Sequence, residues 1–399
     1  MRAPAALPVL VWIHGGALLN GAASLPMYDG SQFARRGVIL VSFNYRLGRF
    51  GFFAHPALTR EAADGGRIAN YGLMDQIAAL EWVHRNIRAF GGDPRQVTIF
   101  GESAGAASVD VLMTVRAARG LFRGAIAESG YGRSDYARLA TVSPDGKRAA
   151  EQEGVALMNA VGAASDDAAT LRTVPAEAIQ SQATYDLNFG FILDGVLLTA
   201  NLWDDFRHGR EAPIPFLLGS NSLETPPAPA GSTSPYAHQL DPFVKVEDRP
   251  ALATAYGGEP ELERNLSSDV VFGGQARSLA LLHAGHGYPT YLYRFAAVAE
   301  SVADRFPGAV HASELPYVFD TLPAARWAMG ARDQALAEAM ISYWIAFART
   351  GRPEPAGLPP WPRADGEHIM LFTDFGPQPA ADDRTSRYQA LARVVDPRS

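Results

Sequence analysis

The chain has 399 residues, 47% of them hydrophobic and 19% charged, with 35 Lys plus Arg against 42 Asp plus Glu for a net charge of −7. That is globular composition with material for a large core, and its negative balance without a basic cluster excludes a nucleic-acid partner. The absence of cysteine excludes a disulfide framework, a thiolate nucleophile and Cys-ligated metal, and leaves the redox compartment unreadable.

The opening apolar stretch to Ile13 is broken by Pro4 and Pro8, so it reads as a strand rather than a signal peptide. No run approaches the roughly 18 apolar residues that span a bilayer. A soluble chain, cytoplasmic by default and without a membrane partner, is expected. Further apolar, β-rich runs follow at Val38 to Tyr45, Val97 to Phe100, Phe122 to Ala127, Ile214 to Leu218, Thr290 to Phe295 and His368 to Phe372. Several are continuous rather than alternating, as in a parallel sheet covered by helices on both faces. Between them, Leu73, Ile77, Leu80, Val83 and Ile87 keep helical spacing, with Asn70 as a cap and Gly91-Gly92 as the stop. A second helix is predicted from Asp333 to Arg349, closed by Gly351 and Pro353.

Two stretches, about 132–213 and 225–285, interrupt this rhythm. In an open α/β sheet such insertions cover the carboxyl ends of strands, where ligands bind. The expectation is one α/β domain over residues 1–399, with a mostly parallel sheet and helical cap- or lid-like insertions.

Gly101-Glu102-Ser103-Ala104-Gly105 follows a strand and precedes helix-compatible residues, the strand–turn–helix setting of a G-x-S-x-G nucleophile elbow. A serine hydroxyl is a weak nucleophile, so it needs a histidine and an acid to orient that histidine. Of nine histidines, His14 opens a glycine loop, His84 lies in a helix, and His283 and His286 flank a turn; His55, His208, His238 and His368 have no recognisable setting. His311 follows a Pro-Gly loop after a strand, and Glu224 ends the Ile214 strand, which gives the chain order Ser103, Glu224, His311 expected of an α/β-hydrolase. His14-Gly15-Gly16-Ala17, directly after the first strand, is a glycine loop able to offer backbone N–H groups to an oxyanion, with Ala104 N–H as the other part.

With these residues assembled, the chain resembles the type-B carboxylesterases, the cholinesterase-like branch of the α/β-hydrolases. The resemblance is carried by Asn70-Tyr71-Gly72-Leu73-Met74-Asp75-Gln76, Ala79-Leu80-Glu81-Trp82-Val83, Phe90-Gly91-Gly92-Asp93-Pro94 and the elbow. It extends to Asn44-Tyr45-Arg46-Leu47-Gly48, Asp194-Gly195, Gly219-Ser220-Asn221 and the His311-Ala312-Ser313-Glu314 segment. It implies Ser103 as nucleophile, His311 as base then acid, Glu224 as orienting carboxylate, and Gly16, Ala17 and Ala104 as the oxyanion hole. Glu102 and Ser129 would lie near this triad. The implied activity is hydrolysis of a small-molecule carboxylic ester through an acyl-enzyme, with no metal or organic cofactor. The rate is expected to fall as pH drops through the histidine pKa, near 6.5 when unperturbed. The alternatives are a non-catalytic binding module and a hydrolase of amides, carbamates or lactones. Two departures stand out. The first strands of the family's sheet are missing, which makes Val38 to Tyr45 an exposed edge and points to truncation or homo-oligomerisation. Thr225 and a proline-rich stretch follow Glu224, where the family often has glycine.

Overall fold

The structure is a computed structural model that describes residues 6–62, 68–131, 135–144, 146–182, 190–226 and 244–395. The proline-rich stretch from 227 to 243 and the start of the first insertion, 132–134, lie outside the described residues.

Eight strands form the central sheet: β1 (Leu7–Ile13), β2 (Ile39–Ser42), β3 (Gly92–Glu102), β4 (Gly124–Glu128), β5 (Phe216–Asn221), β6 (Thr290–Phe295), β7 (His368–Thr373) and β8 (Gly376–Ala381). Their order is β8-β7-β6-β5-β4-β3-β1-β2, and every pairing is parallel except β7 with β8. The continuous apolar strands have the expected cause. Val9, Val11 and Ile13 of β1 turn to one face, where helix α1 (Tyr71–Asn86) adds Leu73, Ile77 and Leu80. Leu10 and Trp12 turn to the other, against Met340, Tyr343 and Trp344 of a later helix, Ala331–Thr350. Each fully buried side chain of this size contributes about 1.5–3 kcal/mol.

The structure trims three predicted strands, β4 among them, which starts at Gly124 rather than Phe122. β2 spans only Ile39–Ser42, because Tyr45 turns inward to donate its hydroxyl to His14 O (2.7 Å) and to stack on the His14 ring. β5 starts at Phe216, after Pro215. β2 forms one edge of the sheet, as expected for the Val38 run, and β8, which carries Pro377 and Pro379, forms the other. An edge is where a strand tolerates residues that cannot donate to the ladder.

Asn70 sits at the N-cap position of α1 but makes no capping bond. Its amide instead reaches into the first insertion, donating to Ile192 O and Asp194 Oδ2 (2.7 Å each) and accepting from Ile192 N–H (3.0 Å). Asn70 is thus the rivet between helix and insertion. Asn70→Ala leaves several buried polar groups unpaired and is expected to destabilise the protein by about 1–3 kcal/mol, read as a lowered urea midpoint at unchanged slope.

Among the described residues, no helix is long and apolar enough to cross a membrane.

Candidate active site

The elbow lies where β3 runs into α2 (Ala104–Thr114). Ser103 sits between them at φ 56°, ψ −122°, a conformation L residues rarely adopt, with its N–H bonded to Glu128 O (2.9 Å). Glycine is obligatory at 105, because a Cβ there would strike the Ile13 carbonyl of β1, so α2 can approach the sheet only without a side chain. Five of the seven non-glycine residues with positive φ among those described are Ala17, Leu18, Ser103, Ser129 and Ala312, all around this point. Backbone strain of this kind collects at functional sites.

Neighbouring strand ends are stitched together. Ser129 N–H bonds Gly219 O (2.8 Å), Ser222 N–H bonds Phe295 O (2.8 Å), and His311 N–H bonds Glu224 O (3.1 Å). The stitching carries Glu224, after β5, and His311, after β6, to the end of the sheet that bears Ser103. Glu224 is fully partnered: Oε2 meets His311 Nδ1 at 2.7 Å, while Oε1 accepts from Ser129 Oγ and Asn221 N–H at 2.6 Å each. Asn221 also donates through its amide to Val310 O (2.8 Å) and to Glu314, gripping both sides of the histidine loop.

Across the ring, His311 Nε2 lies 3.1 Å from Glu102 Oε1. Among the described residues no hydrogen bond joins Ser103 Oγ to that nitrogen; the resting imidazole lies between two glutamates, hydrogen-bonded to Glu224 and within ion-pair distance of Glu102. Its electrostatics depart from the sequence expectation. Burial alone would lower the His311 pKa, but the Glu102 charge, the Glu224 hydrogen bond and the charges of Glu224 and Glu314 overcome it and raise the pKa to about 10. Burial raises Glu102 to about 7 and Glu314 to about 8, and lifts Glu128 well above the carboxylate range. Buried carboxylates in one neighbourhood favour an imidazolium among them. The ordinary value of 6.5 is therefore corrected upward.

The glycine loop borders the elbow, since a Cβ built on Gly15 would lie 3.1 Å from Ser103 Cβ. Gly16, at φ 106°, opens a tight turn in which its carbonyl accepts from Leu19 N–H and Asn20 N–H (3.0 Å each). Its own N–H and that of Ala17 donate to no acceptor among the described residues, and Ala104 N–H, in the first turn of α2, has no intrahelical acceptor. These donors remain available beside the elbow.

Against known proteins, the model of the carboxylesterase family matches residues 1–229 and 261–390. The chain belongs to the carboxylesterase family. It is 37% identical over 388 residues to a fumonisin B1 esterase of Sphingopyxis macrogoltabida, covering 92% of this chain and 69% of the relative. It is 34% identical to a para-nitrobenzyl esterase of Bacillus subtilis (strain 168), over 92% of this chain and 76% of that one. A solved structure of PNB esterase superposes with a TM-score of 0.79 at 32% identity, covering 98% of this chain and 82% of the other. The carboxylesterase is accordingly a carboxylic ester hydrolase with the α/β-hydrolase fold.

All six residues singled out from sequence lie at this one end of the sheet, and Glu102 and Ser129 touch His311 and Glu224 as expected. Sequence reasoning missed Asn221 as a ligand of Glu224, although Gly219-Ser220-Asn221 was noted. It also missed Phe272, whose ring centroid lies 4.7 Å from that of His311 at an interplanar angle of 35°. Thr225, noted there as a departure, meets Ser268 through both its N–H (3.0 Å) and its hydroxyl (3.2 Å).

Proposed function

We propose that this carboxylesterase hydrolyses small-molecule carboxylic esters through an acyl-enzyme on Ser103, with His311 and Glu224 completing a triad. The observation that carries the reading is Glu224, whose two oxygens are both engaged and one of which fixes His311 Nδ1 at 2.7 Å, leaving Nε2 turned toward the elbow. Ser103 Oγ attacks the ester carbonyl carbon while His311 Nε2 takes its proton. The developing oxyanion is received by the N–H groups of Gly16, Ala17 and Ala104, each such donor contributing about 3–4 kcal/mol to the transition state. His311 then returns the proton to the leaving alkoxide and the alcohol departs. Water, deprotonated by the same nitrogen, attacks the acyl carbon, and collapse of the second intermediate frees the acid and restores the serine.

In this cycle Nε2 exchanges partners, from Glu102 in the resting protein to the serine proton during attack. Glu102 then sits beside the imidazolium and favours its charge.

The reading is tested with p-nitrophenyl esters of increasing acyl length. Turnover preceded by a burst of one p-nitrophenol per chain is expected. A folded protein that binds these esters and releases no nitrophenol would make the chain a binding module and end the proposal.

The elevated histidine sets the pH dependence. The base must be neutral, so a raised pKa keeps His311 protonated further into neutral pH. The acid limb of kcat/KM is expected above pH 6.5, with the rate still climbing between about pH 7 and 9. Glu102→Gln removes the charge facing Nε2 and is expected to move that limb to lower pH, measured as a full pH–rate profile. An unmoved limb would show that Glu102 does not govern the proton on His311.

A further inference from the structure

Helices α3 (Glu259–Ser268) and α4 (Gly274–Gly285) are joined without a break in helical backbone by a wider π-helical turn, Asp269–Gly273. A π turn accommodates an extra residue and interrupts the ordinary bonding ladder, and such turns occur frequently at functional sites. Here Gln275 donates its side-chain amide to Val270 O at 2.9 Å, satisfying a carbonyl of the turn. The turn brings Phe272 against His311, and Phe272 is almost fully buried there.

The turn is held from both ends. Ser268, the residue before it, pairs with Thr225, the residue after Glu224. Asp269, its first residue, is buried and clamped by the C-terminal helix, α5 (Thr385–Val395): Arg387 meets it through Nε (2.9 Å) and Nη2 (3.1 Å), and Arg384 approaches at 3.6 Å. Arg384 also donates to Ser222 O at 2.8 Å, within the loop that carries Glu224. One helix thus fastens both the acid loop and the turn bearing Phe272.

Resting on the triad reading, we propose that Phe272 is a positioning residue for His311. Fixed by the clamp on Asp269, its ring backs the imidazole, keeping Nε2 turned to the elbow and presenting a π face to the charge that His311 acquires during attack. Glu224 holds one edge of the imidazole by a hydrogen bond at Nδ1, and Glu102 faces the other at ion-pair distance from Nε2, with Glu314 nearby; tilting of the ring is left to be limited by packing on its face. Phe272 supplies that contact. An aromatic face also favours an adjacent cation, so the ring interacts more strongly with the imidazolium of the transition state than with neutral imidazole.

The test compares wild type, Phe272→Leu, Phe272→Tyr and Asp269→Asn on p-nitrophenyl acetate from pH 5.5 to 10, with thermal melts of each. Phe272→Leu is expected to lower kcat about tenfold with KM within about twofold of wild type. Its acid limb moves to lower pH, because the imidazolium has lost a ring face that favoured it. Phe272→Tyr, which keeps the ring, restores both, and Asp269→Asn lowers kcat in the same direction by loosening the turn. A Phe272→Leu protein with wild-type kcat and acid limb but a raised KM would overturn the proposal, since the ring would then be only a wall against substrate. If Phe272→Leu does not fold, Asp269→Asn decides: wild-type kcat there overturns it. Ser103→Ala, assayed alongside, separates the two readings. Activity surviving in that variant removes the triad itself, whereas its loss together with wild-type behaviour in Phe272→Leu removes only the role given to Phe272.

Discussion

Ser103→Ala is expected to lower kcat/KM on p-nitrophenyl esters by about 10⁴-fold or more while leaving the fold intact. The side chain makes no hydrogen bond among the described residues, and alanine is smaller than serine, so nothing in the elbow must move. The backbone bond that fixes the turn, Ser103 N–H to Glu128 O, is unchanged by the substitution. What disappears is the hydroxyl oxygen that the proposed mechanism requires for the acyl bond. The burst should vanish with the steady state, and a phosphonate reagent that adds covalently to the wild-type serine should leave the mass of the variant unaltered. A burst of normal size in Ser103→Ala would place the nucleophile elsewhere.

The second large effect is expected at Gly16. The residue sits at φ 106°, and a Cβ there would be driven into the Asn20 carbonyl, so Gly16→Ala must unwind the turn that presents the Gly16 and Ala17 N–H groups. Losing one aligned donor costs about 10²–10³ in kcat, and a displaced turn withdraws two. The damage should be confined to chemistry. KM is expected to stay close to wild type because the ester carbonyl of the ground state demands less of these donors than the oxyanion does. Steady-state kinetics beside a thermal melt check this, and wild-type kcat in a folded Gly16→Ala protein would remove the loop from the reaction.

The sequence is most legible where one local requirement has one solution. Gly105 was readable as an elbow glycine because a helix packed that closely on β1 admits no side chain. The strands were readable because β1 divides its apolar residues between two helix-covered faces. Glu224 and His311 followed from chain order, which survives whatever is inserted between them. The features that escaped depend on partners far away in sequence. Asn70 has the pattern of a helix cap, yet it bonds Asp194, 124 residues on. Phe272 lies in a π turn, where the 3.6-residue period that marks a helix face is broken, so nothing in the spacing pointed to the site. The upward shift of His311 arises only when Glu102, Glu224 and Glu314, read separately from sequence, are folded into one neighbourhood. β8 escaped for a different reason, since Pro377 and Pro379 argue against a strand until its place at the sheet edge is known.

The backbone bonds that join successive strand ends make the spacing of Ser103, Glu224 and His311 a property of the sheet. Segment length between those ends is then free to change without disturbing the chemistry. An engineer seeking a new range of esters would therefore exchange 150–181, whose helices pack on a satellite cluster, for a stretch of different size, and leave in place Asp194, which receives Asn70, and Leu198, Leu202 and Phe206, which are buried in the main core. The catalytic rate constant on a minimal acetate ester should pass through such a graft largely unchanged, while preference among bulky acids and alcohols is rewritten.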